Sequence, residues 1–348
     1  MSKARELASL GDAYSDGALS NRNLIINGAM VIDQRNGGSA VTVSAAGSYY
    51  GADRFNFFKN SSANFTIQQS SVAPQGFNKS LSATVTSAAS STAAQNVVFG
   101  QSIEGFNTAH LHWGSANAST LTLSFWVRSS LTGTYCVAFR NAAFNRSYVA
   151  EYTINTADTW EQKTITVSGD TTGTWETGNL AGIRVVWDLG SGSDAIVTAE
   201  TWSSGAPVRT TNQVDWANTS SATFYLTGVQ FEIGDTVTPF EHRSYGQEMA
   251  LCQRYYTKIG GDALADIYGA AYITGGGFIL DTLTLPVKMR AAPTGTKVGT
   301  WTVSNVAQPT IPHVSTTTFI LFASGATIGQ GVYYNPALTG YLTFDAEL

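Results

Sequence analysis

The chain has 348 residues, of which only 12% are charged, with a net charge of −5 at pH 7 and a pI of about 5.4. It shows no stripe of Lys and Arg and no run of 18 or more apolar residues, so we expect neither nucleic-acid binding nor membrane insertion. Its polarity comes mainly from uncharged side chains, beside 34 Gly and many aromatic residues, and this mixture favours short strands joined by turns.

Residues 1–22 form a segment of their own. Ser2 can cap a short helix that runs to about Leu10, where Gly11 and Asp12 would end it. A helix of this length is marginal by itself, so we expect it to fray or to dock on another chain. The segment lacks the apolar core of a signal peptide, and export by that route is therefore not expected.

Residues 23–240 have the pattern of strands almost throughout. Leu121–Val127 alternates strictly, with Leu121, Leu123, Phe125 and Val127 on one face. In Ala222–Ile233 the alternation changes phase at Gly228, which predicts a β-bulge. Successive strands without intervening helices predict an antiparallel jelly-roll sandwich.

Residues 241–256 are predicted to form a short linker helix after the sandwich. Ser244 and Gln247 fit a capping box, and several side chains then follow at helical spacing. Glu248 and Arg254 would lie on other faces, toward solvent or another subunit. We expect the following residues to contact the domain joint or a neighbouring subunit: His242, Arg243, Tyr245, Met249, Cys252 and Tyr256.

Residues 257–348 read as a second, smaller β domain. Ile279, Leu283, Leu285, Val287 and Met289 share one parity, and TTFILFAS and YLTFDAEL supply further strands. A domain of this size has a limited core. We therefore expect support from other copies of the chain.

Catalytic and metal motifs are weak in this sequence. No G-x-S-x-G, Cys–His pair or H-E-x-x-H occurs in a credible context, and we expect no enzyme. His110 and His112 fall on one face of an expected strand but lack a third ligand at supporting spacing, so exposed strand histidines are the favoured interpretation. Paired carboxylates leave little trace in a sequence, so three acids deserve inspection: Glu104, Asp188 and Glu232.

Binding of carbohydrate or calcium is easier to reconcile with the composition. Surface aromatic residues among amides and hydroxyls can stack on sugar rings. Parity or loop position favours four of them, although each could fill the core instead: Trp126, Tyr148, Trp187 and Trp202. A structural calcium ion would need oxygen ligands where the first and last strands of the jelly roll meet, for which we consider Asn27, Asp33 and Glu232. No other cofactor is expected. Cys136 and Cys252 lie in apolar segments and are expected to stay unpaired.

Several stretches together resemble the tail-fibre and related structural proteins of bacteriophages. They are NLIINGAMVIDQRNGG (Asn23–Gly38), GADRF (Gly51–Phe55), TLSFWVRSS within 120–130, YLTGVQFEIGDTVTPFEHRSYGQEMALCQRYY (Tyr225–Tyr256), LPVKMRAAPT (Leu285–Thr294) and the final FDAEL. The resemblance covers nearly the whole chain from Asn23, and Tyr225–Tyr256 is its most specific part. His110 and His112 match no pattern of the family.

The resemblance implies a virion protein, made in the host cytoplasm, with a carbohydrate-binding-module-like jelly roll and a small distal β domain. It implies a homotrimer that is attached to tail or adaptor proteins through residues 1–22 and that contacts the host surface, where a glycan is the expected receptor. It implies no catalytic residues. Two alternatives stay open: a purely structural head-fibre or capsid-decoration protein, and a fibre that degrades polysaccharide.

Overall fold

The structure of this protein is a computed structural model that describes residues 3, 21–274 and 276–348. The helix predicted from Ser2 to Leu10 falls, apart from Lys3, outside the described residues. The chain forms two compact units that divide after Tyr245, and the second unit spans Gly246–Glu347. No helix in the described part of the chain is long and apolar enough to cross a membrane.

The first unit is an antiparallel jelly-roll sandwich of thirteen described strands. They are β1 (Val41–Val43), β2 (Gly47–Ala52), β3 (Phe55–Lys59), β4 (Asn64–Ser70), β5 (Ser80–Ser87), β6 (Val97–Glu104), β7 (Leu121–Ser129), β8 (Gly133–Arg140), β9 (Arg146–Ile154), β10 (Glu161–Val167), β11 (Ala181–Asp188), β12 (Trp202–Ser204) and β13 (Thr223–Ile233). The six-stranded sheet has the order β1-β4-β5-β13-β7-β10, and the seven-stranded sheet has the order β12-β9-β8-β11-β6-β3-β2. Short 3-10 helices lie at Gly105–Asn107, Ala109–Leu111, Ser193–Ala195 and Trp216–Asn218.

The core of the sandwich lies between the two sheets, as the alternation predicted. The four inward residues of β7 have no exposed surface, and the same holds for Tyr135, Val137 and Phe139 of β8. Aromatic rings fill much of the space: Phe99 stacks on Trp187 with ring centroids 5.6 Å apart, and Phe125 meets Trp187 edge-on at 5.3 Å. Burial of one such side chain contributes roughly 1.5–3 kcal/mol to folding.

The predicted bulge in β13 is confirmed. The pairing with β7 shifts register between Thr227 and Gln230, and Gly228 lies at φ 61°. The extra residue keeps Phe224 and Leu226 before the bulge, and Val229 and Phe231 after it, all turned into the core. A side chain at Gly228 would also collide with Phe77 and Trp126. Glycine therefore satisfies both the backbone conformation and the packing here.

The α-helix α1 (Tyr245–Gln253) begins at the last residue before the division, and the second unit contains the rest of it together with three three-stranded antiparallel sheets. Its strands are β14 (Tyr256–Ile259), β15 (Tyr268–Ile273), β16 (Phe278–Thr284), β17 (Thr294–Val298), β18 (Thr302–Ser304), β19 (Thr310–Val314), β20 (Thr318–Ser324), β21 (Gly329–Tyr334) and β22 (Tyr341–Asp345). The sheet orders are β14-β22-β17, β15-β21-β18 and β16-β20-β19. A separate apolar core includes Met289, Leu321 and Phe344, all without exposed surface.

Helix α1 is shorter than predicted. It begins directly after Ser244, as the capping pattern indicated, but it ends at Gln253, and Tyr256 already belongs to β14. The face assignment was partly wrong, because Tyr245 is 63% exposed and Glu248 is buried. Cys252 is buried, as expected.

One outer face in the second unit is apolar. Phe278 and Leu280 of β16 are about half exposed, and Leu280 pairs across the sheet with the half-buried Phe322 of β20. The rings of Phe278 and Phe322 lie 5.5 Å apart. Contiguous exposed apolar residues of this kind are typical of surfaces that another molecule covers.

Candidate functional site

The outer face of the seven-stranded sheet is partly covered by the chain that connects β11 to β13. Residues 189–222, which connect β11 to β13 and contain β12, cross β8 and β9. Ala195 and Val208 of this connection pack on Cys136, Ala138 and Val149 of those strands in a small apolar cluster. Val98 of β6 and Val186 of β11 belong to the same cluster, and both also line a concave surface beside the connection.

A concave surface lies beside the connection on the outer face of the seven-stranded sheet, and we call it the groove. Ala206 of the covering connection forms one wall. Its floor and remaining walls consist of Ser48, Tyr50, Asn56, Phe58, Asn96, Val98, Phe99, Gly100, Gln101, Ser102, Arg140, Phe144, Arg184, Val186 and Leu348. Aromatic, amide, hydroxyl and guanidinium groups thus meet in one concave surface.

Gly100 keeps the floor of the groove flat. It lies on β6 between Asn56 of β3 and Val186 of β11. A methyl group at this position would collide with the backbone of Val185 and Val186. Glycine therefore allows the two strands to approach closely and leaves space above the floor.

Phe144 reaches the groove from the turn between β8 and β9. The turn is built around the buried Asn141, whose Oδ1 accepts hydrogen bonds from the backbone N–H groups of Asn145 and Arg146. Its Nδ2 donates to the carbonyl of Thr174 at 3.0 Å. Phe144 is held at φ 55°, a strained conformation for an aromatic residue, and it is 45% exposed. Strained, exposed aromatic residues often mark functional positions.

Two arginines form the polar end of the groove. Arg184 of β11 and Arg140 of β8 are direct cross-strand partners on the same face. Their guanidinium carbons lie 4.9 Å and 5.1 Å from the centre of the Phe144 ring. Arg184 Nη1 donates to Ser102 Oγ at 2.7 Å, and Arg140 Nη1 makes a long contact of 3.4 Å with the carbonyl of Ala206.

The electrostatics of this pair are unfavourable for two cations. Burial lowers the pKa of Arg140 to about 10, and the positive charge of Arg184 adds to the effect. Burial also lowers the pKa of Arg184. Both shifts mean that this environment disfavours the charged guanidinium. An anion beside the pair would reverse that preference.

The four predicted sugar-stacking residues do not come together. Trp187 needs a correction, because it has no exposed surface and packs inside the core on the parity of Val185. Trp126 is half-buried on the outer face of the six-stranded sheet. Tyr148 and Trp202 pair across β9 and β12, away from the groove lining.

Tyr148 and Trp202 belong to an aromatic cluster at the edge of the sandwich. Trp202 lies 5.3 Å from Trp113 and 5.5 Å from Trp175, both edge-on. Its indole N–H donates to the carbonyl of Ser168 at 2.9 Å. The cluster packs against the main core, so its rings serve packing.

The residues considered for calcium each organise a loop. Asn27 binds the backbone of Ile32 and Asp53 through its amide. Asp33 accepts hydrogen bonds from Asn36 and Gly38. Glu232 accepts from Gln230 and Thr238, and Arg22 lies 3.6 Å from it. No cluster of three or more His, Cys, Asp or Glu that could hold a metal occurs in the described part of the chain.

The histidine and carboxylate candidates are also dispersed. His110 and His112 are exposed but lie on a 3-10 turn and its end rather than on the expected strand, and His112 adopts φ 57°. Glu104 and Asp188 are buried. Burial raises the pKa of Asp188 to about 6, although its oxygens accept hydrogen bonds from the N–H groups of Gly190 and Ser191.

The segment before α1 is fixed on the sandwich. The ring of His242 lies 4.8 Å from Phe240 and 5.4 Å from Phe77. Arg243 donates hydrogen bonds to the carbonyls of Asn23 and Ile25. The contacts of Arg243 connect this segment to Asn23 and Ile25. His242 and Arg243, which the sequence analysis placed at the domain joint, therefore have a packing role.

Sequence reasoning missed Arg140, Phe144 and Arg184. A usable signal was present, because Arg184 has the parity opposite to Val185 and Trp187 and so had to face outward. No sequence pattern predicted that Arg140 and Arg184 would be neighbours, because their proximity depends on the pairing of β8 with β11.

Comparison with known proteins gives distant structural similarity only. No family model matches the sequence, and no curated protein matches it. A domain of bacteriophage CBA120 tailspike protein 4 matches 61% of this chain and 21% of its own, with 10% identity and a TM-score of 0.32. A putative sugar-binding protein from Bacteroides thetaiotaomicron matches 61% of this chain and all of its own, with 11% identity and a TM-score of 0.35. The family 11 carbohydrate-binding module of a Clostridium thermocellum cellulase matches 56% of this chain and 99% of its own, with 14% identity and a TM-score of 0.28.

The chain thus spans about a fifth of the tailspike domain that it matches. With TM-scores of this size, the function has to be argued from the groove itself.

Proposed function

We propose that this protein is a non-catalytic bacteriophage tail-fibre subunit that binds a glycan of the host surface in the groove of its jelly roll. The observation that carries the proposal is the groove itself. It combines the aromatic Tyr50, Phe58 and Phe144 with polar Asn56 and Ser102 on a concave sheet face.

Such a surface suits a saccharide chemically. Aromatic rings stack on the apolar faces of sugar rings, while amide and hydroxyl groups pair with sugar hydroxyls. The half-exposed ring of Phe144 and the partly exposed ring of Tyr50 are the stacking residues of this proposal. The side-chain amide of Asn56 and the hydroxyl of Ser102 are its hydrogen-bonding groups.

A binding role without hydrolysis agrees with the scarcity of acids in the groove. Glycoside hydrolysis ordinarily needs two carboxyl groups on either side of the bond. No Asp or Glu is present among the described residues that line the groove. The polysaccharide-degrading alternative would need its carboxylates elsewhere.

The virion location is supported by the sequence resemblance from Asn23 onward. In this proposal the protein is made in the host cytoplasm and attaches to tail or adaptor proteins through residues 1–22. The copies associate as a homotrimer, and the apolar face around Phe278 and Leu280 supports contact between them. Light scattering of the purified chain is expected to give three times the monomer mass, whereas a monomer would favour a decoration protein that is organised by its partners.

Binding to a glycan array tests the function directly. We expect the chain to bind a subset of bacterial surface glycans, and Phe144→Ala to weaken that binding about tenfold, because a stacking ring is lost. Phe106→Ala is the matched control, since Phe106 is an exposed phenylalanine that is not part of the groove. Failure of the wild-type chain to bind any glycan, or equal loss in both variants, would contradict the proposal.

A further inference from the structure

The arginine pair in the groove is not explained by the fold. Arg140 and Arg184 oppose each other on neighbouring strands, and like charges in that position destabilise a sheet. Arg140 is only 9% exposed, so its charge is also largely removed from water. A structural role would require a nearby acid to offset both costs.

Among the described residues, no carboxylate lies within salt-bridge distance of either arginine. Neither arginine forms a salt bridge with another residue that the structure describes, and the Nε atom of each is buried without a hydrogen-bond partner there. Asp188 attracts Arg140, but its oxygens accept hydrogen bonds from Gly190 and Ser191. Buried polar atoms are nearly always satisfied in native proteins, so two neighbouring guanidinium groups with unsatisfied Nε atoms and no salt bridge need an explanation.

The surroundings hold the pair in place without neutralising it. Phe144 lies within 5.1 Å of both guanidinium groups, which gives a cation–π contact to each. Ser102 accepts one hydrogen bond from Arg184. Each guanidinium carries five N–H donors, and the hydrogen bonds to Ser102 and Ala206 use one on each side chain, so further Nη donors remain for a ligand in the groove.

We infer that Arg140 and Arg184 bind an oxyanion carried by the saccharide, so that the glycan recognised in the groove is acidic. The guanidinium group matches the geometry of carboxylate, sulfate and phosphate oxygens, and charge-assisted hydrogen bonds of this kind are about twice as strong as neutral ones. The shared chemistry is an anionic substituent on a sugar ring beside Phe144. This inference rests on the proposed glycan binding and adds its substrate class.

An array of matched glycans provides the test. It carries uronate, sialate, sulfated and phosphorylated oligosaccharides, each beside its neutral methyl-ester or unsubstituted counterpart. We expect the wild-type chain to bind acidic members at least about tenfold more tightly than their neutral counterparts, and the bound class distinguishes carboxylate from sulfate or phosphate.

Variants then locate the anion. Arg184→Gln is expected to abolish the preference for the acidic member, and Arg184→Lys to restore part of it, because lysine keeps the charge but lacks the planar fork. Arg140→Gln tests the second arginine. Arg128→Gln is the control, because Arg128 pairs with the exposed Asp158 and is not part of the groove. It should leave the preference unchanged.

The outcomes separate the two proposals. Equal binding of acidic and neutral members, or a preference that survives both Arg184→Gln and Arg140→Gln, overturns the acidic ligand but leaves glycan binding standing. Absence of binding to every glycan overturns the proposed function itself. Circular dichroism of each variant checks that the loss does not reflect unfolding.

Discussion

Two arginine sites in the sandwich show how differently the same residue can be used. Arg146 at the start of β9 forms a two-point pair with the buried Asp170, with Nε–Oδ2 and Nη2–Oδ1 distances of 2.7 Å and 2.6 Å. Asp170 also accepts hydrogen bonds from the backbone N–H and the hydroxyl of Thr172. Arg140 and Arg184, in contrast, face each other and form no salt bridge with any described residue. The first site is complete within the chain, and the second is complete only with a ligand.

The pKa values express the same difference. Burial tends to raise the pKa of Asp170, but the hydrogen bonds from Arg146 and Thr172 outweigh it and lower the pKa overall. The bond to Asp170 likewise raises the pKa of Arg146. Burial and the positive charge of Arg184 lower the pKa of Arg140 instead, and the attraction of Asp188 does not offset them. Folding therefore stabilises the charges at one site and destabilises them at the other.

The largest expected loss of stability comes from breaking the ion pair between Arg146 and Asp170. Arg146→Gln would leave the carboxylate of Asp170 buried without its cation, and we expect the free energy of unfolding to fall by about 3 kcal/mol. Urea denaturation at pH 7 measures this loss. Arg128→Gln, at an exposed pair, should cost less than about 1 kcal/mol. Similar losses for the two variants would mean that the Asp170 pair is not a structural anchor.

A smaller change in the free energy of unfolding is expected from a change of pH. Its sign is opposite for the two buried acids Asp188 and Asp170. Asp188 has a pKa of about 6 when folded, against about 4 when unfolded, so unfolding releases a proton in this window. Its contribution to stability therefore falls as the pH rises from about 4 to 6, by roughly 2–3 kcal/mol. Asp170, whose folded pKa is lowered, contributes stability above about pH 4 that is lost as the pH falls further.

Asp188→Asn isolates the first of these contributions. The variant should lose the fall in stability between pH 4 and 6, and its slope rather than its absolute stability is the relevant readout because the hydrogen bonds to Gly190 and Ser191 also change. Denaturation curves at half-unit pH intervals measure the slope. An unchanged slope would show that Asp188 is already ionised at pH 4.

The smallest expected change in stability comes from a substitution in the pair of Arg140 and Arg184. Arg184→Gln removes a like-charge contact and one hydrogen bond to Ser102, so we expect the free energy of unfolding to change by less than about 0.5 kcal/mol, or to rise slightly. Thermal unfolding in the absence of ligand provides the measurement. A loss of 2 kcal/mol or more would indicate that Arg184 stabilises the fold, and it would remove the contrast with Arg146.

The sequence predicted the fold correctly where the alternation of apolar and polar residues along a strand determines which side chains face the core. The parity of Leu121, Leu123 and Phe125 predicted one core face, and the phase change at Gly228 predicted the bulge. The end of α1 was harder to predict from the sequence, because Tyr256 keeps the helical spacing but pairs with Asp345 in a sheet. Tertiary pairing overrode the local pattern there.

The residues of the groove could not be predicted from local patterns in the sequence. Arg140 and Arg184 become neighbours only through the pairing of β8 with β11, which no short-range pattern specifies. Trp187 was counted among the surface aromatic residues by parity or loop position, but it shares the parity of the buried Val185 and lies inside. Phe144 lies in a turn, where the periodicity that predicts strand faces does not apply. A binding surface built from several strands and a turn therefore needed the structure.

A crystal structure of the protein with an acidic oligosaccharide bound on the array would test the central claim most directly. We predict that a sugar ring lies on Phe144 and that its anionic group lies within hydrogen-bond distance of Arg184 and Arg140. A saccharide bound instead on the outer face of the six-stranded sheet near Trp126, or in the second unit, would contradict the assignment of the groove as the binding site.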